Sequence, residues 1–410
     1  MKPRLLLVCQ HYAPEAFRST DIAEYFVEQG CEVDVLCGLP NYPRGVFHDG
    51  YSYNGPYYEE LNGVRIFRAF EIRRKDDTTL RIVANFMSFP IFAAMRVRRL
   101  LRQNSYNAVF CFQLSPVYMT YPALMAAKRL RIPCTTYVMD IWPDNLYSVV
   151  NVPGKLVRRL LQWTSDRIYA RTDRLIALTP AMQGVLAKRT GKQESEIAVI
   201  PQFCEDFYAD RPEPTDEVRT LFTADTFNIF YAGNMSPAQG LDNMVKAAAL
   251  VEESHPGAVK WVIAGDGMSR AGVEELCRSL GVAHRFEFVG SVPPTIVPQF
   301  TQLADALFAG FSGHEALDLT IPGKYASYCA AGKPLLIAMG GESARVTREH
   351  ECGLVSSPDA PTELAQNVLA LMHLSAEERA RMGNSCSSLY RDSFVRSDSL
   401  RRIQSFTLKS

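Results

Sequence analysis

A glycine-bounded loop and a lysine near the start of a later predicted helix are the features best suited to bind an anion. The loop runs from Gly233 to Gly240 and joins a predicted strand to an amphipathic helix. Small residues let backbone amides approach a phosphate, and a helix N-terminus favours negative charge. Lys324 in a first helical turn opposes the helix dipole unless it faces an anion. Together they predict a diphosphate site; the alternative is an ordinary turn and a solvated lysine.

A second candidate site follows predicted strands of the first half. Asp140 comes directly after an apolar run, at the strand end where ligands of α/β proteins bind. A carboxylate there can accept hydrogen bonds from sugar hydroxyls or take an acceptor proton. The alternative is an aspartate that caps the following turn. His11 and Glu15 follow the first strand and are placed at the same edge, although His11 also suits a satisfied histidine near the core.

Several other chemistries lack their sequence signatures. Residues 10–15 read Q-H-Y-A-P-E where a dinucleotide-binding loop needs G-x-G-x-x-G, and the G-D-G at 265–267 lacks a third glycine. There is no ATPase-type phosphate loop, no G-x-S-x-G elbow and no metal-ligand spacing of histidines and cysteines. Since no acidic D-x-D cluster is present either, we expect neither a metal ion nor a cofactor.

Composition sets the broad class of protein. The 410 residues are 47% apolar, which suits two globular domains. The 44 basic and 44 acidic residues balance, but the first half carries the basic excess, which leaves room for an anionic partner and disfavours general nucleic-acid binding. Ten cysteines without a CxxC pair, and no signal peptide, indicate free buried thiols in a reducing cytoplasm.

Short runs of Val, Ile and Leu alternate with longer amphipathic stretches, which predicts βαβ units and mostly parallel sheets. We expect strands at residues 4–9, 33–37, 108–112, 134–139, 174–178 and 197–200, and again at 227–231, 260–264, 285–289, 306–309, 334–338 and 353–355. Residues 201–226 are rich in Pro, Asp and Glu and lack this alternation, so we predict a linker there. The sequence thus predicts two doubly wound, Rossmann-like α/β domains, residues 1–205 and 206–394, facing a central cleft.

With these segments in order, the chain resembles the retaining glycosyltransferases of family four, which have the GT-B fold. The resemblance is closest to the bacterial branch that includes the O-antigen fucosaminyltransferases and the colanic-acid transferase, and it covers essentially the whole chain. Besides the Gly233 loop, it rests on H-Y-A-P-E at 11–15, P-N-Y-P-R-G at 40–45, D-I-W-P-D at 140–144, T-P-A-M at 179–182, G-D-G at 265–267, F-V-G-S-V-P at 288–293 and P-G-K at 322–324.

The resemblance implies transfer of a sugar from a nucleoside diphosphate, with uridine favoured, to a hydroxyl of a lipid-linked or growing cell-surface polysaccharide. It implies retention at the anomeric carbon, with Asp140 near the reacting sugar and Lys324 as the cation of the diphosphate. It also implies that residues 395–410 return to the N-terminal domain. The donor-binding residues that it implies are Gly233, Asn234, Gln239, Gly240, Gly290, Ser291, Val292, Lys324 and Ser327.

The chain departs from the family pattern at two places. Leu319 and Ser327 stand where many members carry two glutamates, so a charge-assisted bond to the donor ribose is lost. Glu315 and Asp318 are candidates to compensate, and Glu315 joins His11 and Glu15 as an acceptor-side candidate. Asn234 and Gln239 also replace the usual basic residue of the diphosphate loop. Two alternative functions therefore remain: a non-catalytic pseudo-glycosyltransferase scaffold and a nucleotide-sugar epimerase.

Two stretches of the first half suit an anionic membrane surface. Residues 79–102 are apolar through Phe86, Met87, Phe89, Ile91 and Phe92 and end in Arg96, Arg98, Arg99 and Arg102. Lys155, Arg158 and Arg159 lie near Trp163. Such helices can lie at the inner face of the plasma membrane with their apolar side among the headgroups. The alternative is a core helix with a solvated basic end.

Overall fold

The computed structural model describes residues 2–42, 45–73, 79–149, 152 and 154–409. The chain forms two compact units, Met1–Ile200 with Leu400–Ser410, and Pro201–Ser399. The first unit ends five residues before the predicted boundary because Cys204 already packs in a core of the second unit. The C-terminal return begins at Leu400 instead of 395, since Phe394 and Val395 still pack in that same core. Pro43 and Arg44 of the predicted P-N-Y-P-R-G motif lie outside the described residues.

The first unit is built on an eight-stranded sheet of order β3-β4-β2-β1-β5-β6-β7-β8, parallel except for β3. Its inner strands are runs of Val, Leu, Cys and Phe that are buried on both faces, as parallel strands covered by helices are. The strands are β1 Arg4–Cys9, β2 Glu32–Cys37, β3 Tyr58–Leu61, β4 Val64–Arg68, β5 Ala108–Gln113, β6 Cys134–Val138, β7 Arg174–Ala177 and β8 Ile197–Val199. The β3–β4 hairpin is absent from the sequence prediction.

The helices of this unit begin at residues that suit helix N-termini, as α6 shows. Thr179 caps its helix by accepting a hydrogen bond from the Met182 N–H at 3.1 Å, and Pro180 takes the first helical position. The guanidinium of Arg174 donates to the carbonyl oxygens of Phe406 and Thr407, which ties the C-terminal return to β7. The helices are α1 Arg18–Glu28, α2 Thr79–Gln103, α3 Tyr121–Leu130, α4 Asp144–Val149, α5 Lys155–Ala170 and α6 Pro180–Thr190.

The second unit holds a six-stranded, fully parallel sheet of order β11-β10-β9-β12-β13-β14. The strands are β9 Phe227–Ala232, β10 Val259–Ala264, β11 Phe286–Gly290, β12 Ala306–Gly310, β13 Leu335–Ala338 and β14 Gly353–Ser356. The order reverses between β9 and β12, so loops leaving these two strands diverge at their carboxyl ends, the usual ligand position in such sheets.

Two apolar cores, one rich in residues of β9, β10 and α8 and the other in residues of α10, α12 and α15, support this sheet. The helices of the second unit begin with α7 Asp216–Arg219, α8 Leu241–Ser254, α9 Arg270–Ser279, α10 Val297–Leu303, α11 Glu315–Asp318 and α12 Gly323–Ala331. They continue with α13 Gly341–Glu349, α14 Pro361–His373 and α15 Ala376–Ser393. The last helix, α16 Arg396–Leu408, begins in the second unit and belongs to the first from Leu400 onward.

All ten cysteines are free and buried. Across the described ranges, no helix combines the length and apolar character that a membrane crossing requires.

Candidate active-site residues

The loop after β9 is held close to the backbone that follows β10. The Gly233 N–H donates to the Ala264 carbonyl at 3.0 Å, and the Met235 N–H donates to the Asp266 carbonyl at 2.8 Å. A Cβ on Gly265 would lie 2.0 Å from the Gly233 carbonyl oxygen, so this crossing requires glycine. The G-D-G segment therefore positions the Gly233 loop, a role that its spacing alone does not reveal.

Lys324, the second residue of α12, reaches this loop. Its ammonium donates to Gln239 Oε1 at 2.5 Å and lies 4.1 Å from the centre of the Tyr231 ring. A Cβ on Gly233 would come within 3.1 Å of Nζ, so the absent side chain leaves room for the lysine. Lys324 itself keeps partial solvent exposure, yet desolvation of its ammonium lowers the pKa to about 7.

No carboxylate in the described part of the chain forms an ion pair with Lys324, whereas several surface lysines and arginines have one. A cation that is desolvated, placed in a first helical turn and without a counter-charge gains free energy from a bound anion. The N-terminus of α8 also lies beside Lys324. This helix starts after Gly240, which has a φ of +58°. The Ser312 N–H, which follows β12, donates to the Ala238 carbonyl at 2.9 Å and fixes this turn. Amides and one cation thus converge at the strand-order reversal.

Ser327 lies one helical turn after Lys324 and is 9% exposed. Its neighbour Tyr328 accepts a hydrogen bond from the Ala232 N–H at 2.7 Å, which fixes α12 against the end of β9. Helical spacing puts Ser327 and Lys324 on the same side of α12. The serine hydroxyl therefore lies near the predicted diphosphate site, within the short reach that its side chain allows.

The two acids of the preceding loop differ in placement. Glu315 is exposed at the start of α11 and belongs to the second unit. Asp318 packs against the start of α13: a Cβ on Gly340 would lie 2.6 Å from its Oδ1. Burial, and then the charge of Glu315, raise the pKa of Asp318. Glu315 is therefore the more accessible of the two acids, and Asp318 is half-buried.

Gly290 ends the edge strand β11, and Ser291 and Val292 follow it. Gly290 has φ +84°, a conformation that favours glycine, and Val292 is half-buried against the core while Ser291 is exposed. This segment offers backbone groups and a small apolar face at the carboxyl edge of the sheet, which is compatible with the donor-binding role that the resemblance implies for these residues.

Asp140 lies just beyond the carboxyl end of β6, enclosed by three hydrogen-bond donors. Ser115 Oγ donates to Oδ2 at 2.7 Å, Asn145 Nδ2 to the same oxygen at 3.1 Å, and Gln113 Nε2 to Oδ1 at 3.3 Å. Burial raises the pKa of Asp140 to about 6, and the three donors oppose that rise. A carboxyl group that ionises close to neutral pH suits proton transfer better than a solvated turn cap does.

His11 and Glu15 contact each other, and both are almost fully buried. His11 Nδ1 lies 3.0 Å from Glu15 Oε2, while Glu15 Oε1 accepts the N–H groups of Asn41 at 2.8 Å and Tyr42 at 2.6 Å. Phe17 stacks on the imidazole at 4.8 Å. These contacts indicate that the pair fixes the loop after β2, which is the alternative interpretation of His11 as a satisfied histidine.

A buried polar cluster beside this pair has no single sequence signal. Glu71 is 0% exposed; its Oε1 accepts from Gln10 Nε2 at 2.8 Å and Asn85 Nδ2 at 2.5 Å. Burial raises the pKa of Glu71. Its Oε2, which has no hydrogen-bond partner among the described residues, occupies the space where Gly38 lacks a Cβ. Gln10 directly follows β1, Glu71 lies in the segment after β4 and Asn85 lies in α2, so only the fold brings them together.

Comparisons with known proteins agree with this architecture. The family described as "Glycosyltransferase Family 4" matches residues 18–205, and that described as "Glycosyl transferases group 1" matches residues 213–387. An uncharacterized glycosyltransferase of Methanocaldococcus jannaschii is 22% identical over 391 residues, which cover 89% of this chain and 88% of the relative.

Two solved structures share the fold of the chain. The Anabaena protein HepE in complex with UDP and glucose has a TM-score of 0.68 at 15% identity, covering 98% of both chains. WaaG, described as a glycosyltransferase involved in lipopolysaccharide biosynthesis, has a TM-score of 0.68 at 14% identity, covering 99% of this chain and 100% of that one. The predicted fold class is thereby confirmed, and the chain is a glycosyltransferase of the group 1, family-four-like class with two Rossmann-like domains.

Proposed function

We propose that this glycosyltransferase moves a sugar from a nucleoside diphosphate, with uridine as the base, to a hydroxyl of a lipid-linked or growing cell-surface polysaccharide. The anomeric configuration is retained, and the O-antigen fucosaminyltransferase and colanic-acid branch supplies the model for the substrate class. The observation that carries the proposal is Lys324, a desolvated cation without a carboxylate partner in the described chain, at the start of α12 and against the Gly233 loop.

In the proposed reaction, the bond between the anomeric carbon and the diphosphate oxygen breaks while the acceptor oxygen bonds to the same face of the sugar. The proton of the acceptor hydroxyl passes to the departing diphosphate. Lys324 and the amides that begin α8 and α12 stabilise the negative charge that grows on this group, which is the largest single contribution in many enzymes. Gln239 orients the ammonium, and no metal ion is required.

Asp140 acts on the acceptor side. As a carboxylate it accepts a hydrogen bond from a sugar hydroxyl and orients that group for reaction. Its pKa of about 6 leaves it mostly ionised at neutral pH, and the donors Ser115 and Asn145 hold one of its oxygens in place. HepE was crystallised with UDP and glucose, which supports the donor class by analogy of fold.

The experiment is a thermal unfolding series with UDP, GDP and ADP. A nucleotide present at 100 times its dissociation constant adds roughly 2.7 kcal/mol of stability. We expect UDP to raise the unfolding temperature and GDP and ADP to raise it less. Equal responses to all three would contradict uridine recognition, and the absence of any response would contradict the donor site.

Two helices of the first unit support a place at the inner face of the plasma membrane. On α2, Ile91 is 55% and Met95 51% exposed, and on α5, Leu156 is 81% and Trp163 52% exposed. Both helices contact the same short 3-10 segment, Val117–Thr120. Exposed apolar rows with neighbouring arginines and lysines favour an anionic lipid surface. Failure to co-sediment with anionic vesicles at low salt would contradict this placement.

Ser327 favours a second candidate, the pseudo-glycosyltransferase scaffold. Its short hydroxyl replaces a carboxylate that would hold the donor ribose with a charge-assisted bond. A scaffold would bind UDP but would not release UDP from any UDP-sugar. The transferase would release UDP only when both donor and acceptor are present. An epimerase, the third alternative, converts the donor to an isomer without acceptor.

A further inference from the structure

A cavity of about 340 Å³ opens at the edge of the first unit, where β4 ends against α2. Its walls include Tyr57, Phe70, Phe92, Met95, Arg96 and Arg99. Aromatic and aliphatic side chains thus form one part of the surface and guanidinium groups the other. The cavity lies toward the carboxyl end of β4, the edge of the parallel sheet at which Asp140 also lies.

The positive charge in this cavity is not balanced by the protein. Arg96 Nη2 donates to the Tyr57 carbonyl oxygen at 3.1 Å, and its buried Nε has no hydrogen-bond partner in the part of the chain that the structure describes. Within the described ranges, neither Arg96 nor Arg99 forms an ion pair, and desolvation followed by the charge of Arg99 lowers the pKa of Arg96. The third arginine of the wall, Arg68, is paired with Glu59 at 2.5 Å. A buried, unpartnered N–H beside two uncompensated cations is the environment of an anion site.

A single apolar row leads to these cations along α2. Val83, Met87, Ile91 and Met95 follow one another at intervals of four residues, and each is at least 43% exposed. Side chains at i and i+4 adjoin on a helix surface, and Arg99 is the next member of this row. The surface therefore presents one extended apolar track that ends at two guanidinium groups.

We propose that this cavity and track bind the lipid anchor of the acceptor, a diphosphate joined to one polyprenyl chain, with Arg96 and Arg99 on the phosphates and the chain along the α2 row. The inference rests on the proposed function and adds the site that recognises its lipid-linked substrate. Two guanidiniums match the two phosphates of a diphosphate, since guanidinium binds phosphate oxygens in a bidentate manner. One row of exposed side chains matches one hydrocarbon chain better than the paired chains of a phospholipid.

The test uses farnesyl diphosphate as probe, with inorganic pyrophosphate and short-chain phosphatidylglycerol for comparison, in calorimetric titrations of the full chain. We expect farnesyl diphosphate to bind at least about tenfold more tightly than either, because only it matches both parts of the surface. Arg99→Gln should weaken the binding of farnesyl diphosphate about tenfold. Ile91→Ser should weaken the binding of farnesyl diphosphate and leave the binding of pyrophosphate unchanged. Arg98→Gln is the matched control: it removes the same charge from the same helix, but its side chain does not line the cavity.

Arg99→Gln keeps the test independent of folding because Arg99 is exposed, whereas Arg96→Gln removes the contact with Tyr57. Equal losses in Arg98→Gln and Arg99→Gln would overturn the site in favour of diffuse attraction. If pyrophosphate bound as tightly as farnesyl diphosphate, the apolar track would have no part in binding. If phosphatidylglycerol bound as tightly, the surface would recognise membrane lipid in general and not the polyprenyl anchor. If Lys324→Gln lost the binding of farnesyl diphosphate, the diphosphate of this probe would be bound at the donor site and not in the cavity.

The UDP response of the same variants separates this inference from the proposed function. Farnesyl diphosphate binding without any UDP response would contradict the proposed donor site and leave the anchor site standing. A UDP response without farnesyl diphosphate binding would overturn the anchor site alone.

Discussion

The charged groups at the carboxyl edges of the two sheets differ in whether the protein itself satisfies them. In the first unit, Glu15 accepts two backbone N–H groups and contacts His11, and Phe17 covers the imidazole. In the second unit, Lys324 has a neutral amide and an aromatic face as neighbours and no ion-pair partner among the described residues. The first arrangement is complete as it stands, and the second gains free energy when an anion arrives.

Asp140 lies between these extremes. Its carboxylate is surrounded by donors as Glu15 is, yet the pKa of about 6 shows that those donors do not repay its burial. Residue type and strand position therefore do not separate a structural acid from a reactive one. The balance between desolvation and hydrogen bonding does.

The largest effect is expected at Asp140. Asp140→Asn keeps the shape and removes the negative charge that orients the sugar hydroxyl, so we expect turnover to fall about 10²-fold or more, the cost of a misplaced reacting group. The measurement is the rate of UDP release from the donor with a lipid-linked acceptor present. The control is Asp144→Asn, four residues later, where the carboxylate pairs with Arg189 at 2.5 Å. Unchanged turnover in Asp140→Asn would place Asp140 with Glu15 as a structural acid.

Lys324→Gln should weaken UDP binding about 10- to 100-fold, since it removes a charge-assisted contact to phosphate. Calorimetric titration measures this, with Lys333→Gln as the matched control. Lys333 is another lysine whose pKa burial lowers, but its ammonium donates to the Gln302 carbonyl at 2.9 Å. Equal losses in both variants would indicate a general charge effect and not a site.

The pH dependence of turnover at low donor concentration should report the ionisation of both Asp140 and Lys324. Asp140 loses its charge as pH falls below about 6, and free Lys324 loses its charge as pH rises above about 7. We therefore expect kcat/KM to peak between these values and to fall about tenfold per pH unit beyond each limb. Lys324→Arg should remove the alkaline limb, because arginine stays protonated. An unchanged alkaline limb would assign that titration to another group.

Glu15→Ala tests the structural side. It leaves the N–H groups of Asn41 and Tyr42 without their acceptor, so the free energy of unfolding should fall by about 1–3 kcal/mol. Urea unfolding measures the loss, and UDP affinity in the second unit should stay within about twofold. A stable variant that lacks turnover would instead make Glu15 a reactive group.

The smallest effect is expected from metal removal. Lys324 and the helix N-termini supply the positive charge, so treatment with EDTA should leave UDP affinity and turnover unchanged. Activity that disappears with EDTA and returns with Mg²⁺ would contradict a donor site based on these groups alone.

Sequence patterns predict every parallel strand except β4, because most of them are largely apolar runs. In β4, Val64–Arg68, the charged residues Arg65 and Arg68 interrupt such a run. The β3 strand escapes prediction because the Y-E-E-L segment at Tyr58–Leu61 is largely exposed at the sheet edge and lacks such a run. Lys324 is predictable because a lysine in a first helical turn conflicts with the helix dipole, and this local misfit needs no tertiary information.

The surroundings of Asp140 and Glu71 are not predictable in the same way. Gln113, Ser115 and Asn145 reach Asp140 from separate segments, and their spacing carries no periodic signal. The sequence likewise leaves His11 open between a ligand-facing and a structural role. The burial of His11 and its contacts with Glu15 and Phe17 decide between these roles, and both are properties of the folded chain.

The most direct test of the donor site is a crystal structure of the protein with UDP. We predict phosphate oxygens within hydrogen-bond distance of Lys324 Nζ and of backbone amides in the turn from Gly233 to Gly240, with Ser327 on the ribose side. A nucleotide bound elsewhere, with the Lys324 ammonium still hydrogen-bonded to Gln239, would contradict the proposed donor site.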